Sequence, residues 1–364
     1  MKRIFHIITT INRGGAENQL LTLARQQVKE GYLVEIAYLK DAPALLADFE
    51  SVGAKVHDFL VGKSPIVQLI LLRKYLRNGK RIVHAHLPRA QLLAALAGTS
   101  NPIVSSRHDA EPFFHDVPKL VSRLLALLVD FRSSKQIAIS TVVKDGMVER
   151  KEVFKNSEIA VIHYGFESLP LNTSLDPFPD NFEEISKGKT IVGTAGRLVH
   201  QKDYPTLLSG FAQFHAIQPE SVLVIAGGGP LRNELEKQCI DLGIEQFVFW
   251  LGGISSLEPF YRKLDVFVLA SKTEGFGLVL LEAMSYEIPI VASNSTAIPE
   301  VLGAKCGMLF SVGDTAGLCN SLLNMTKAVN LEKHSKYSGQ RILDFKPEIM
   351  SRRISEIYEL AAAN

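Results

Sequence analysis

Glu274-Gly-Phe-Gly-Leu-Val-Leu-Leu-Glu282 sets two carboxylates eight positions apart, on either side of a Gly-Phe-Gly turn that opens onto an apolar helix. The run Val266–Leu269 before it reads as a strand, and Ala270 and Ser271 lead out of that strand. The stretch is therefore a strand-to-helix crossover, and in parallel α/β sheets ligands bind outside the carboxyl ends of the strands. From inside the helix, Glu282 can grip a vicinal diol such as a ribose with both oxygens. Glu274, in the loop, can reach a second polyol. Gly275, Phe276, Gly277 and Leu278 open the helix, where backbone amides suit a phosphate. Carboxylate, anion cradle, carboxylate is a shape that fits a nucleotide sugar. A glycine-broken loop followed by an ordinary surface glutamate fits the same letters.

Outward from that crossover, short apolar runs alternate with helix-period segments along the whole chain. In the first half the expected strands are residues 4–9, 33–39, 55–59, 82–86, 103–105, 136–139 and 159–162. Helices are expected between them at 16–29, 65–77, 89–97, 118–129 and 142–150. The second half repeats the pattern, with strands at 190–194, 222–226, 247–250, 266–269, 288–292 and 308–310. Its helices are expected at 205–216, 231–242, 278–285 and 316–327. Near-continuous apolar strands separated by helices predict a parallel sheet covered on both faces. The fold class is thus α/β, with two doubly wound domains and a ligand crevice between them. Residues 1–166 form the first domain, 167–188 a linker broken by Pro170, Pro177 and Pro179, and 189–345 the second domain. Residues 346–364 read as a helix with no strand after it, packing back across onto the first domain.

A chain of 364 residues is natural for two domains. With 46% hydrophobic and 21% charged residues the composition is globular. Cys239, Cys306 and Cys319 make no C-x-x-C pair, which disfavours a disulfide framework or zinc site and fits a reducing compartment. The apolar run at 4–8 is short and interrupted by His6, so it predicts a buried strand rather than an export signal. No stretch is long enough to cross a bilayer. A cytoplasmic protein is expected. Residues 1–165 carry 23 Lys and Arg against 15 Asp and Glu, while the remainder carries 17 against 23. Between 59 and 108 stand eight bases (Lys63, Arg73, Lys74, Arg77, Lys80, Arg81, Arg89, Arg107) and no acid. Such a surface beside exposed leucines suits anionic lipid headgroups on the inner face of the cell membrane; an ordinary solvated helix face fits as well. Nucleic acid is disfavoured, since no aromatic platform or recognition motif accompanies the bases.

Further candidate residues sit at other strand ends. Gly14-Gly15-Ala16-Glu17 follows the first strand and starts a helix, where glycine admits a ligand closely and the helix start favours an anion. It is not G-x-G-x-x-G, and no Walker A loop exists, so dehydrogenase and P-loop ATPase chemistry are disfavoured. Arg197 and Lys202 share the loop after the first strand of the second domain, a planar donor fork and a mobile point charge suited to a diphosphate; a surface ion-pair network with Asp203 is the alternative. His108, after the strand at 103–105, can donate to a substrate hydroxyl or shuttle a proton, or be structural. His86 ends another strand and can face the crevice, whereas His84 can simply be packed. Gly228, in Gly227-Gly228-Gly229-Pro230, can admit a nucleobase or phosphate or merely pack tightly. Leu251, in Trp250-Leu251-Gly252-Gly253, can offer backbone groups to a base edge. The chain has no Asp-x-Asp and no helical histidine pair at ligand spacing, so no metal and no cofactor is expected. Arg197 and Lys202 would then supply the positive charge.

Taken together and in this order, these motifs resemble the retaining glycosyltransferases of family four, over essentially the whole chain. The resemblance implies the GT-B architecture, two Rossmann-like domains facing a central cleft. It implies a nucleotide diphosphate sugar as donor, with a UDP-sugar favoured, and an acceptor hydroxyl on a glycan or lipid-linked saccharide, as in bacterial surface-polysaccharide assembly. By the same resemblance Gly15 would contact the donor or its phosphate, Arg197 and Lys202 the diphosphate, and Glu282 the ribose. Glu274 would hold the transferred sugar and His108 would meet it near the reacting carbon. Gly14, Glu17 and His86, with His108, would lie on the acceptor side. The chain departs from the family's pattern twice: Tyr164-Gly165 stands where Asn-Gly is frequent, and Thr296-Ala297 where Gly-Gly is frequent. Two other readings stay open, a GT-B nucleotide-sugar epimerase and a non-catalytic sugar-nucleotide-binding subunit of a glycan assembly complex.

Overall fold

The computed structural model describes residues 3–154, 158–167, 178–254 and 256–363. Unit 1 holds Met1–Glu167 with Phe345–Asn364, and unit 2 holds Ser168–Asp344. In unit 1 the strands are β1 (Arg3–Ile8), β2 (Leu33–Tyr38), β3 (Lys55–His57), β4 (Ile82–His86), β5 (Ile103–Arg107), β6 (Lys135–Ala138) and β7 (Ile159–Val161). They pair in parallel in the order β3-β2-β1-β4-β5-β6-β7. Unit 2 holds β8 (Thr190–Ala195), β9 (Ser221–Ala226), β10 (Val248–Gly252), β11 (Val266–Leu269), β12 (Ile290–Ser293) and β13 (Met308–Phe310). Its parallel order is β10-β9-β8-β11-β12-β13.

The strands form where the apolar runs predict them, with ends moved by one or two residues. β4, β9 and β11 are buried at every position because helices cover both sheet faces. The strand order reverses between β1 and β4 and again between β8 and β11. At such a reversal the connections leave in opposite directions and open a crevice at the strands' carboxyl ends. Sequence chemistry converges on both places: the glycines after β1, the histidines ending β4 and following β5, the Arg197–Lys202 loop after β8, and Glu274 after β11.

Helix Pro347–Ala363 belongs to unit 1. Met350, Ile354, Tyr358 and Ala361 recur at helical spacing and pack with Ile4, Leu23, Ile82 and Val104 under the sheet. Burying a side chain such as Ile354 contributes roughly 1.5–3 kcal/mol.

Two differences from the sequence expectations have physical causes. The stretch 167–188, read as linker, ends in helix Phe182–Ser186, with Phe182 fully buried against Phe249; the aromatic anchor outweighs the prolines before it. The part at 168–177 lies outside the described residues. Helix Ala328–Arg341 has no counterpart among the expected helices. Its buried positions are polar: Ser338 Oγ donates to Ile288 O at 3.0 Å, and His334 Nδ1 accepts from Gly307 N at 3.2 Å, while Leu331 packs partly buried on the unit 2 core. An apolar-periodicity reading passes over such a helix.

Candidate active site

In unit 2 the loop after β8 is tied to the loop after β11. Lys272 N donates to Gln201 O and Gln201 Nε2 to Thr273 O, each at 2.8 Å. Lys272 Nζ stands 3.2 Å from Asp203 Oδ1. Asp203, buried and left-handed at φ +50°, starts helix Tyr204–Ile217 and is held by Thr206 Oγ1 at 2.8 Å. These ties bring Lys202 and Glu274, 72 residues apart in sequence, into contact: Nζ lies 2.5 Å from Oε1. Ser271 Oγ donates to the same oxygen at 2.8 Å. Arg197 sits in the same loop, exposed and without a side-chain hydrogen bond or ion pair among the described residues. A guanidinium beside a lysine and a carboxylate at a sheet's reversal point can take an anion and a polyol together.

Glu274 is held from the backbone side too. Its N–H donates to Thr296 Oγ1 at 2.8 Å. Thr296 is left-handed at φ +46°, an uncommon conformation for a β-branched residue. The family's frequent glycine at this position therefore has a conformational reason, and the threonine hydroxyl here does a job glycine cannot. Gly277 caps helix Leu278–Ser285 at φ +87°, and a Cβ there would come within 3.2 Å of Leu280 Cδ1. The left-handed backbone is what favours glycine here, since the end of the Leu280 side chain could shift by a few tenths of an ångström. One helical turn on, Glu282 Oε2 accepts from the buried Tyr261 hydroxyl at 2.7 Å. Burial raises the Glu282 carboxyl, while the Tyr261 hydrogen bond and the Lys202 charge pull it back down.

The two outlying donor-side motifs divide. A Cβ on Gly227 would fall 1.9 Å from Gly196 O, and one on Gly229 would fall 2.6 Å from Leu198 O, so both are packing glycines. Gly228 alone has open space beside it. Leu251, half-buried, lies on the edge strand β10, and the neighbouring Gly252 carbonyl accepts from Gly227 N at 2.7 Å. Of Gly275, Phe276 and Leu278, Phe276 is buried and the other two are half-buried.

In unit 1, Gly14 precedes helix Gly15–Lys29, and Gly15 is exposed at its first position. Glu17 folds back over the helix start: its Oε2 would lie 2.5 Å from a Cβ on Gly14, and its Oε1 accepts from Thr10 Oγ1 at 2.6 Å. His108, half-buried, has both ring nitrogens engaged, Nδ1 with the Tyr164 hydroxyl at 2.6 Å and Nε2 with His86 Nδ1 at 3.1 Å. Burial beside Arg107 lowers His108 to about 3, so it is neutral at physiological pH. The expectation that His86 meets an acceptor is corrected: it is buried, and its remaining nitrogen faces His6 Nδ1 at 3.0 Å. The roles of Ser271, Tyr261, His6, Gln27 and Glu152 emerge only from the folded structure. Buried Glu152 anchors Arg107, next to His108, at 2.9 Å and accepts from Phe113 N at 3.0 Å. One signal was available: an imidazole, His6, in an otherwise apolar strand interior.

The profile of Glycosyltransferase Family 4 matches residues 13–168, and that of Glycosyl transferases group 1 matches residues 178–341. The chain belongs to glycosyltransferase family four. This family-four glycosyltransferase is 27% identical over 361 residues, covering 95% of each chain, to a Campylobacter jejuni enzyme. That enzyme is named GalNAc-alpha-(1->4)-GalNAc-alpha-(1->3)-diNAcBac-PP-undecaprenol alpha-1,4-N-acetyl-D-galactosaminyltransferase. The present chain is 23% identical to the capsular polysaccharide biosynthesis glycosyltransferase CapM of Staphylococcus aureus, over 98% of this chain and 97% of CapM. Its fold matches Anabaena HepE, solved in complex with UDP and glucose, at a TM-score of 0.81 and 19% identity, over 99% of this chain and 100% of HepE. The fold is GT-B.

Proposed function

We propose that this glycosyltransferase moves a sugar from a UDP-linked donor to a hydroxyl of a lipid-linked saccharide, with retention at the anomeric carbon. The observation that carries the reading is the Lys202–Glu274 contact of 2.5 Å beside the exposed Arg197, at the reversal of the unit 2 sheet. The anomeric C–O bond to the diphosphate breaks, and the acceptor oxygen bonds on the same face. The acceptor's proton passes to the departing phosphate oxygen. Arg197 and Lys202 stabilise the charge that grows on that phosphate, and no metal is needed for it. Glu274 holds sugar hydroxyls and Glu282 the ribose. The Campylobacter enzyme, named for a saccharide carried on PP-undecaprenol, and Anabaena HepE, solved with UDP and glucose, support the two substrate classes.

The acceptor reading draws on unit 1. No described helix is long and apolar enough to cross a membrane. Helices Pro65–Leu76 and Lys119–Arg132 flank helix Pro88–Leu96. They expose Ile66 (73%), Ile70 (60%), Leu120 (65%), Leu124 (57%) and Phe131 (74%). Arg73, Lys74, Arg77, Lys119 and Arg123 stand exposed among them. Apolar tips inside a basic frame fit an anionic lipid surface, where each base near the surface contributes about 1 kcal/mol.

Thermal stabilisation by a panel of UDP-, GDP- and ADP-sugars, with and without EDTA, tests the donor. A shift with one UDP-sugar, kept in EDTA and lost in Arg197→Ala and Glu282→Ala, is expected; no shift with any donor sinks the reading. Vesicle sedimentation tests the surface. Binding to anionic but not zwitterionic vesicles, lost when Arg73, Lys74 and Arg77 become Glu, is expected, and indifference to lipid charge removes the membrane from the account.

A further inference from the structure

Beneath helices Gly15–Lys29 and Pro347–Ala363, the strands β1, β4 and β5 present side chains that are not apolar. His6 and His84 are register partners across β1 and β4, His86 lies two positions on, and Ser106 pairs with His86 across β5. All four are buried, as are Gln27 and Tyr358 from the covering helices. Each ring nitrogen of His6, His84 and His86 has a partner. His6 Nδ1 and His86 Nε2 face each other at 3.0 Å, so these rings make a hydrogen-bonded chain and not a cation site.

We infer that Gln27 sets the direction of this chain and thereby decides which nitrogen of His108 carries the proton. The argument is one of donor and acceptor counting. Gln27 Oε1, 2.8 Å from His6 Nε2, can only accept, so the His6 hydrogen is on Nε2. A neutral ring has one hydrogen, so His6 Nδ1 accepts from His86 Nε2. His86 Nδ1 in turn accepts from His108 Nε2 at 3.1 Å, and His108 Nδ1 accepts from the Tyr164 hydroxyl at 2.6 Å. The other end of the amide sets a second branch. Gln27 Nε2 donates to Tyr358 Oη at 3.1 Å, Tyr358 donates to His84 Nδ1 at 2.7 Å, and His84 Nε2 donates to Ser106 Oγ at 2.7 Å. Neutrality of every ring follows from burial, which lowers His6 to about 4 and His84 and His86 well below the usual imidazole range.

The chain has two self-consistent directions. Turning the Gln27 amide over would reverse every link and move the His108 hydrogen to Nδ1, which would then donate to Tyr164. In the direction inferred, Tyr164 donates to His108 Nδ1; in the other it accepts from it. One buried amide with no direct contact to His108 thus governs the hydrogen-bonding character of the strand end that the family places against the transferred sugar. Gln27 is a positioning residue, and its effect on turnover rests on the proposed sugar transfer.

The test is the ring-nitrogen spectrum of the full chain, labelled with nitrogen-15, by two-bond correlation to the ring carbon protons at neutral pH. His6, His84, His86 and His108 should all be neutral with hydrogen on Nε2. Gln27→Leu, which removes the acceptor, should give His108 in both tautomers and lower kcat about tenfold while donor binding persists, a loss of about 1.4 kcal/mol in transition-state stabilisation. Gln27→Glu keeps an acceptor toward His6 and should restore a single His108 tautomer and most of kcat. A charged or Nδ1–H His108 in the parent overturns the inference, and so does a single Nε2–H form in Gln27→Leu. The spectrum needs no substrate, so a chain that transfers no sugar would remove the proposed function while the tautomers still decide the relay.

Discussion

The loops after β8 and β11 in unit 2 present charge, whereas the imidazoles at the ends of β4 and β5 in unit 1 are neutral. After β8 and β11, Arg197 is open to solvent, while half-buried Lys202 pairs with buried Glu274. After β4 and β5, His86 and His108 continue a chain of imidazoles that burial keeps uncharged. The difference follows from pairing. Ions near solvent keep part of their hydration, and pairing covers the rest, whereas an unpaired ion under the sheet would lose several kcal/mol of solvation. The loops of unit 2 can therefore meet a charged diphosphate, while the imidazoles of unit 1 orient hydrogen bonds beside the buried Arg107–Glu152 pair. The same parallel sheet and the same reversal of strand order serve opposite electrostatic ends.

The sharpest way to break this contrast is to remove charge from unit 2. Lys202→Met should lower turnover by about 10²–10³, since one donor aimed at developing charge is worth roughly 2.7–4 kcal/mol. Steady-state kinetics at saturating donor measures it, and parent-like turnover would take Lys202 out of the transition state.

The next test puts charge into unit 1 with acid. Its buried histidines titrate lower folded than unfolded, so between those values the unfolded chain binds more protons and stability rises with pH. That stability is complete above about pH 6.5 and is lost as pH falls toward about 4 for His6 and about 3 for His108. Each such ring costs on the order of 1.4 kcal/mol per pH unit across that window. Calorimetry from pH 7 to pH 5 should show the unit 1 transition falling first; a larger fall for unit 2 would contradict the neutral-chain account.

A smaller effect is expected at Thr296. Thr296→Val strands the Glu274 N–H and should cost about 1–3 kcal/mol in denaturant unfolding. Thr296→Gly loses the same acceptor but releases the strain of a left-handed β-branched residue, about 1–2 kcal/mol, and should come out close to the parent. Equal losses in the two variants would show that the hydroxyl matters and the backbone strain does not.

Much of this molecule is legible in its letters, and the exceptions are instructive. Strands such as Val266–Leu269 and Ile82–His86 form at the expected residues because a doubly covered strand must be apolar throughout. Glu274 and Lys202 are placeable at strand ends because turns and helix starts announce themselves locally. Helix Ala328–Arg341 is not legible, since its buried positions are Ser338 and His334 and only partly buried Leu331 meets the apolar core. Gly227 and Gly229 look like ligand glycines, yet the Gly196–Leu198 backbone crosses them. The roles of Tyr164 and Thr296, the two departures from the family pattern, become clear only through their partners, His108 Nδ1 and Glu274 N.

The sequence by itself determined the α/β class, the two domains, the family, and the loops on which the charged residues would sit, because periodicity and turn chemistry are local. The tertiary structure decided which side chains answer one another. Lys202 meets Glu274 across 72 residues, and Gln27 meets Tyr358 across 331. Parallel pairing brings such residues together through long crossovers, and burial then sets their protonation. No spacing in the chain records either effect.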